Sequence, residues 1–333
     1  VKNQAPRLRL TLASLTKQTV PAEVVLVDDG SVDGTPEVLA EAADTLRMVT
    51  VRHDVSRGTS AASNAGAHAA GGAVVIFLDG DTLAHPELVA RHLAAHAARP
   101  GLVGRGETFH LRQTRAFLDP EAATPRPGQE ARVAAMTPAE RQRLRVTRAE
   151  ILDDFAAIDR RASPGVYPGA GPRALYELEV EALRDSPGCT VLWAAASGSN
   201  LSISRRAFLG VGGFDQEIRL GEHRELALRL TQGGAQMGFV PGARTYHMTH
   251  RDGWSGHDPL RDPAWEDALF RRHPLPAVRL LAVLWASLMD PSPVPAPARL
   301  LSLPALERAA QDWAAGTGLD YGAARQAIPG FAA

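Results

Sequence analysis

The run Ala73-Val74-Val75-Ile76-Phe77-Leu78 is apolar throughout and leads directly into Asp79-Gly80-Asp81. An unbroken apolar run of this length reads as a strand buried on both faces, the habit of sheets covered by helices. It pushes the chain toward a layered α/β fold. Ligands of open α/β sheets gather at the carboxyl ends of strands, and here two carboxylates one residue apart stand at such an end. A hard divalent cation that also holds a diphosphate needs one or two carboxylates from the protein and little else. Asp-Gly is also ordinary turn chemistry, so the pair needs support from elsewhere in the chain.

That support comes from upstream. Val24-Val25-Leu26-Val27 reads as a second buried strand and ends in Asp28-Asp29-Gly30-Ser31. Between the two strands lies Arg57-Gly58-Thr59-Ser60-Ala61-Ala62-Ser63-Asn64-Ala65-Gly66, a small-residue helix start that lets a ligand approach the backbone. The pattern predicts helix 7–19, strand 24–27, helix 36–46, strand 48–52, helix 59–70, strand 73–78 and helix 86–98. Strands and helices alternating at this spacing mean βαβ units and a mostly parallel central sheet flanked by helices.

The alternation stops near residue 104. Residues 105–190 are arginine-rich and broken by prolines, with one long helix expected from the capping box Thr137-Pro138-Ala139-Glu140 to about Arg161 and a Gly/Pro loop over 165–172. Order returns at Trp193, with helices over 205–211 and 222–232 around Gly212-Gly213-Phe214-Asp215. The expected division is an α/β half over 1–104, a helical insertion that shapes a pocket over 105–190, a second half of the same domain over 191–252, and a helical extension over 253–333.

A net charge of −1 argues against a nucleic-acid binder. The single cysteine, Cys189, excludes an internal disulfide and fits a reducing, cytoplasmic setting. No apolar run approaches the length of a membrane span. Residues 278–289 are apolar but short and carry Arg279, so they read as a packing helix, with membrane-surface contact the minority reading.

Six pieces stand in a particular order: Val27–Ser31, Asn64-Ala65-Gly66, Leu78–Asp81, Gly198–Arg205, Val211–Asp215 and Gly221–Leu230. Each is weak alone, but together they make the chain resemble an inverting family 2 glycosyltransferase of the GT-A fold over roughly residues 1–105 and 190–250. The resemblance implies a nucleotide-diphospho-sugar donor, UDP-sugar by default, with Mn²⁺ or Mg²⁺ as cofactor. It implies that Asp28 and Asp29 face the nucleobase and ribose, and that Asn3, Ser31, Arg57, Asn64, Asp79, Gly80 and Asp81 complete the nucleotide-sugar site. Asp79 and Asp81 would be the DxD element, with Asp81 and His247 as metal ligands; His250 and Arg251 would reach the phosphates instead. Trp193 and Trp254 are candidates to stack on a sugar, with core packing an equal alternative for Trp193.

Two departures from the family pattern matter. The family's catalytic base usually sits in a Glu-Asp pair, and here the pair is Glu222-His223. The helix N-terminus disfavours an imidazolium and keeps the ring basic, so His223 is the favoured base and Glu222 the alternative. The family also opens with an interior strand ending in a Pro-x-x-Asn turn. This chain begins at Val1-Lys2-Asn3, so that strand is expected to be missing and the natural protein to be longer, with Asn3 the remaining match. Both departures leave open a degenerate member that binds a nucleotide-sugar or a partner without turnover. A nucleotidyltransferase is disfavoured by the scarcity of lysine, and a dehydrogenase by the lack of Gly-x-Gly-x-x-Gly after the first strands.

Overall fold

The computed structural model describes residues 1–165, 173–250 and 263–331. Helix α1 (Ala5–Leu15) leads into β1 (Val24–Asp29), α2 (Thr35–Ala43), β2 (Met48–His53), α3 (Thr59–Ala69), β3 (Val74–Phe77), β4 (Thr82–Ala84), α4 (Leu88–Ala98) and β5 (Leu102–His110). After an irregular segment come α5 (Arg173–Asp185), β6 (Leu201–Ser204), α6 (Arg205–Gly210), α7 (Glu222–Gln232) and β7 (Gln236–His247). The chain continues with α8 (Ala264–Arg272), α9 (Pro276–Ser287), α10 (Leu303–Ala314) and α11 (Tyr321–Gln326).

The expected strands and helices of the first hundred residues are present to within a few positions, but the sheet is mixed. Strands β1 and β2 pair in parallel as a separate ribbon. The main sheet runs in the order β3-β6-β5-β7-β4, and only its β5–β7 pair is parallel. Strand β3 is therefore an edge strand among the described residues, and three of its four residues are only partly buried, unlike the doubly covered strand its composition predicts. Val1 lies between the ribbon and the main sheet. Its amino group donates to Val27 O at 2.7 Å, the Asp29 N–H donates to Val1 O at 2.8 Å, and its side chain packs on Gly80.

The long helix expected over 137–161 is instead three short ones, Pro138–Leu144, Arg148–Asp153 and Phe155–Arg161. The reason is local. Arg145 is extended, Thr147 and Glu150 form a second capping box, and Asp154 caps the third helix through the Ala157 N–H. Strand β5 crosses the boundary expected at 104/105, and its end pairs with Ser163–Pro164. Residues 166–172, Arg251 and Trp254 lie outside the described residues. Trp193 is 2% exposed and belongs to the large apolar core with Phe208, Leu226 and Leu281, so it does not stack on a ligand. Helix α9 is buried along most of its length in the same core, as a packing helix should be. No helix of the described residues is long and apolar enough to cross a membrane.

At the end of β1, Asp29 organises the loop that follows β2. Its Oδ1 accepts from the Arg57 N–H at 2.8 Å and lies 2.7 Å from His53 Nδ1; its Oδ2 accepts from Ser56 Oγ at 2.7 Å and the Gly58 N–H at 3.0 Å. The loop passes so near that a Cβ on Gly30, already at φ +72°, would meet the Ser56 nitrogen at 2.8 Å. Burial alone would raise the Asp29 pKa, but these bonds outweigh it and hold the carboxylate below its ordinary range. A depressed folded-state pKa contributes stability that is full above the unfolded value and lost as pH falls through the folded one. Asp29→Asn should therefore cost about 3 kcal/mol in urea unfolding at pH 7, and its deficit should narrow below about pH 4. A deficit unchanged with pH would refute the electrostatic origin.

Candidate active site

The site forms where β4 meets the end of β7. The antiparallel register sets His247 opposite Thr82, the residue after Asp81, and the Met248 N–H donates to Asp81 O at 3.0 Å. The chain then turns so that His250 Nε2 stands 2.9 Å from Asp81 Oδ2, while His247 Nε2 is 3.5 Å from the same oxygen. One ligand atom from each of Asp81, His247 and His250 falls within 4.8 Å of the others. Burial would raise the Asp81 pKa, but the two imidazoles hold it well below the carboxylate range. A cluster of one carboxylate and two imidazoles is a sound donor set for a first-row divalent cation. His110 ends β5 alongside His247, with ring centroids 5.4 Å apart, and burial drives its pKa down to about 3, so it stays neutral.

Beside this cluster is a cavity of about 50 Å³ lined by Asp79, Glu222, Gly198 and Phe214, and by Thr59, Ser60 and Ser63 at the start of α3. Asp79 reaches solvent at its rim, yet the surrounding protein excludes much of the water; that desolvation and the neighbouring Asp81 charge push its pKa up to about 6. Glu222 enters from the first turn of α7. Burial would raise its pKa, but His223, its own backbone N–H and Arg224 more than offset this and hold it low. Glu222 is thus an ionised carboxylate facing the cavity at neutral pH.

His223 is placed differently. Arg224 Nη1 approaches its Nε2 at 3.0 Å, and its Nδ1 lies 3.7 Å from Glu222 Oε1, longer than a hydrogen bond. A guanidinium only donates, so the Nε2 lone pair is engaged by Arg224. The imidazole favoured from sequence as the base thus has its Nε2 facing Arg224.

The remaining expected residues form scaffold contacts. The Asn3 N–H donates to Ser31 Oγ at 3.0 Å and its Oδ1 accepts from the Val32 N–H at 2.8 Å. Asp28 accepts from the Ser31 N–H and from Arg52 at 2.5 Å. Asp28 and Asp29 are both buried, and their oxygens are met by protein donors. Asn64 clamps the backbone of Phe214, accepting from its N–H at 2.8 Å and donating to its O at 2.9 Å. Gly213, at φ +72°, runs so close to Asn64 that a Cβ would sit 2.4 Å from its Oδ1. The Gly80 carbonyl accepts from Thr11 Oγ1 at 3.1 Å. Arg57 keeps an exposed side chain. Sequence reasoning missed His250 as a partner of Asp81, and it missed Arg224. The His-x-x-His spacing of 247 and 250 was a readable signal for the first. For Arg224 there was none, because its role depends on contacts far apart in the chain.

Residues 1–115 match the family model described as Glycosyl transferase family 2. An uncharacterized glycosyltransferase, YfnE of Bacillus subtilis, is 26% identical over 268 residues, covering 78% of this chain and 66% of that protein. A validoxylamine A glucosyltransferase of Streptomyces hygroscopicus subsp. jinggangensis is 40% identical over 99 residues, 28% of this chain and 24% of that protein. The chain thus spans less than two thirds of the length of either. The crystal structure of S. aureus TarS in complex with UDP aligns with a TM-score of 0.51 at 13% identity, covering 95% of this chain and 90% of that one. The fold is shared with that structure, and residues 1–115 carry the match to glycosyl transferase family 2.

Proposed function

We propose that this chain transfers a sugar, with inversion, from a nucleotide-diphospho-sugar to an acceptor hydroxyl in a metal-dependent reaction. The observation that carries the reading is the Asp81–His247–His250 cluster beside a cavity containing Asp79 and Glu222. UDP is the first nucleotide to test, being the family default and the nucleotide in the TarS complex. The nucleoside would rest on the loops ordered by Asn3, Asp28, Asp29 and Ser31, with the exposed Arg57 side chain available to the diphosphate.

Asp81, His247 and His250 would hold the divalent cation, and two imidazoles favour Mn²⁺ over Mg²⁺, which prefers all-oxygen surroundings. When bound, that cation supplies charge neutralisation to the departing diphosphate. Glu222 is our choice of base. Its carboxylate takes the proton of the acceptor hydroxyl as that oxygen bonds to the anomeric carbon, while the bond from that carbon to the diphosphate oxygen breaks. Asp79, in the lining of the same cavity, is available to accept hydrogen bonds from the sugar.

Calorimetric titration of UDP into the protein should show binding that depends on Mn²⁺, and Asp81→Ala should abolish that dependence; unchanged affinity would remove the metal assignment. Glu222→Gln should lower transfer or donor hydrolysis by at least about 100-fold, the low end of general-base contributions, while leaving UDP affinity in Mn²⁺ intact. Full activity of Glu222→Gln would make another group the base. UDP binding without turnover of any UDP-sugar by the wild type would favour a binding protein over an enzyme.

A further inference from the structure

Arg224 is itself held on several sides. Its Nε donates to Ala194 O at 2.8 Å, its Nη2 meets Glu179 Oε1 at 3.1 Å, and its guanidinium lies 5.1 Å from the Trp285 ring centroid. Glu179 is fixed in turn by Arg105 at 2.8 Å, and both are at most 2% exposed. Arg105 lies over the Tyr176 ring at 5.4 Å. The guanidinium facing His223 therefore has no freedom to swing away.

That fixity decides the state of the imidazole. Nε2 must present a lone pair to Arg224 Nη1, so a neutral ring carries its proton on Nδ1. An imidazolium would oppose N–H to N–H and charge to charge. Nδ1 makes no hydrogen bond among the described residues, and it sits so near Gly198 that a Cβ there would lie 3.3 Å away. The acceptor it faces is Glu222 Oε1 at 3.7 Å, a separation of the kind that tightens when substrate binds.

Resting on the reading of Glu222 as base, we propose that Arg224 locks His223 as a neutral donor whose Nδ1–H positions the Glu222 carboxylate toward the acceptor. His223 is then a positioning residue, and the relay Arg105–Glu179–Arg224–His223–Glu222 carries the rigidity of the core to the reacting oxygen. The usual acid pair at this helix start has become one carboxylate and one oriented donor.

Two measurements test this. Long-range ¹H–¹⁵N correlation spectra of the ¹⁵N-histidine-labelled protein at neutral pH read the tautomer of each of the 11 histidines, with His223 assigned by its loss in His223→Asn. We expect the neutral Nδ1–H form in the resting wild type and its replacement by the Nε2–H form in Arg224→Met. An Nε2–H or doubly protonated His223 in the wild type overturns the lock, whatever the kinetics show. Should Arg224→Met fail to fold, the wild-type spectrum and the position-223 variants still decide. In transfer assays, His223→Leu should lower kcat about 10- to 100-fold with donor KM unchanged, the worth of one hydrogen bond to a charged group. His223→Asn, which restores an N–H near the place of Nδ1, should recover most of that loss. His223→Asn as inactive as Glu222→Gln would overturn the positioning role and return His223 to the base. An Nδ1–H signal together with a fully active Glu222→Gln would uphold the lock and overturn the reading of Glu222 it rests on.

Discussion

Three residues of antiparallel pairing, Thr82–Ala84 against Thr245–His247, hold the candidate site together. Strand β4 is too short to be stable by itself; it persists because β7 is pinned on its other flank by the parallel ladder to β5. That parallel ladder is itself interrupted by an irregularity of β7 between Phe239 and Arg244. Glu107 closes it by accepting from the Gly242 N–H at 2.6 Å and pairing with Arg244 at 3.3 Å. A slip of one residue would turn His247 to the other face of the sheet and take it from Asp81. The carboxylate–imidazole cluster is thus a consequence of strand register before it is a matter of side-chain chemistry.

A second constraint runs through the interior. Arg105 on β5, Glu179 on α5 and Arg224 on α7 form a chain of charges that is almost wholly buried. Such a chain adds little net stability, because desolvation consumes most of the Coulomb attraction. Its effect is geometric. Removing Glu179 would leave the Arg105 and Arg224 guanidiniums without their shared carboxylate, so the sheet, the helix after the irregular segment and the helix bearing Glu222 are held in one mutual arrangement. Asn64 does the same beside the cavity, tying α3 to the Gly213-Phe214 turn.

What was legible in the sequence was local. Apolar runs, small-residue helix starts and glycine stops placed β1, β3, α3 and α7 to within a few residues, and the ordered motifs pointed to the GT-A fold. What was not legible depended on pairing across the chain. Strand direction in the main sheet is set by which distant strand lies alongside, and no periodicity encodes it. The break of the helix expected over 137–161 was readable, since Thr147 and Glu150 repeat the capping-box spacing of Thr137 and Glu140; helical propensity hid it. For Asp28 and Asp29 the sequence offered a strand end and, through the resemblance, a nucleotide-facing role, but not their partners. Their hydrogen-bond partners Arg52, His53 and Ser56 lie one crossover away, so no local pattern announced them.

The Glu222-His223 pair shows the same limit at the level of chemistry. An imidazole at a helix start, considered alone, is a good base: neutral, near its ordinary pKa, and close to a cavity. Beside an anchored guanidinium the same ring has its lone pair turned inward and its N–H outward, so it donates where a base must accept. Glu222, at the positive end of α7 and with His223 Nδ1 3.7 Å from its Oε1, has its pKa held low and stays ionised at neutral pH. On the proposed reading, exchanging the family's second acid for histidine need not weaken the site, provided Arg224 holds the ring; the exchange would move the base by one residue and make its orientation depend on the buried charges behind it.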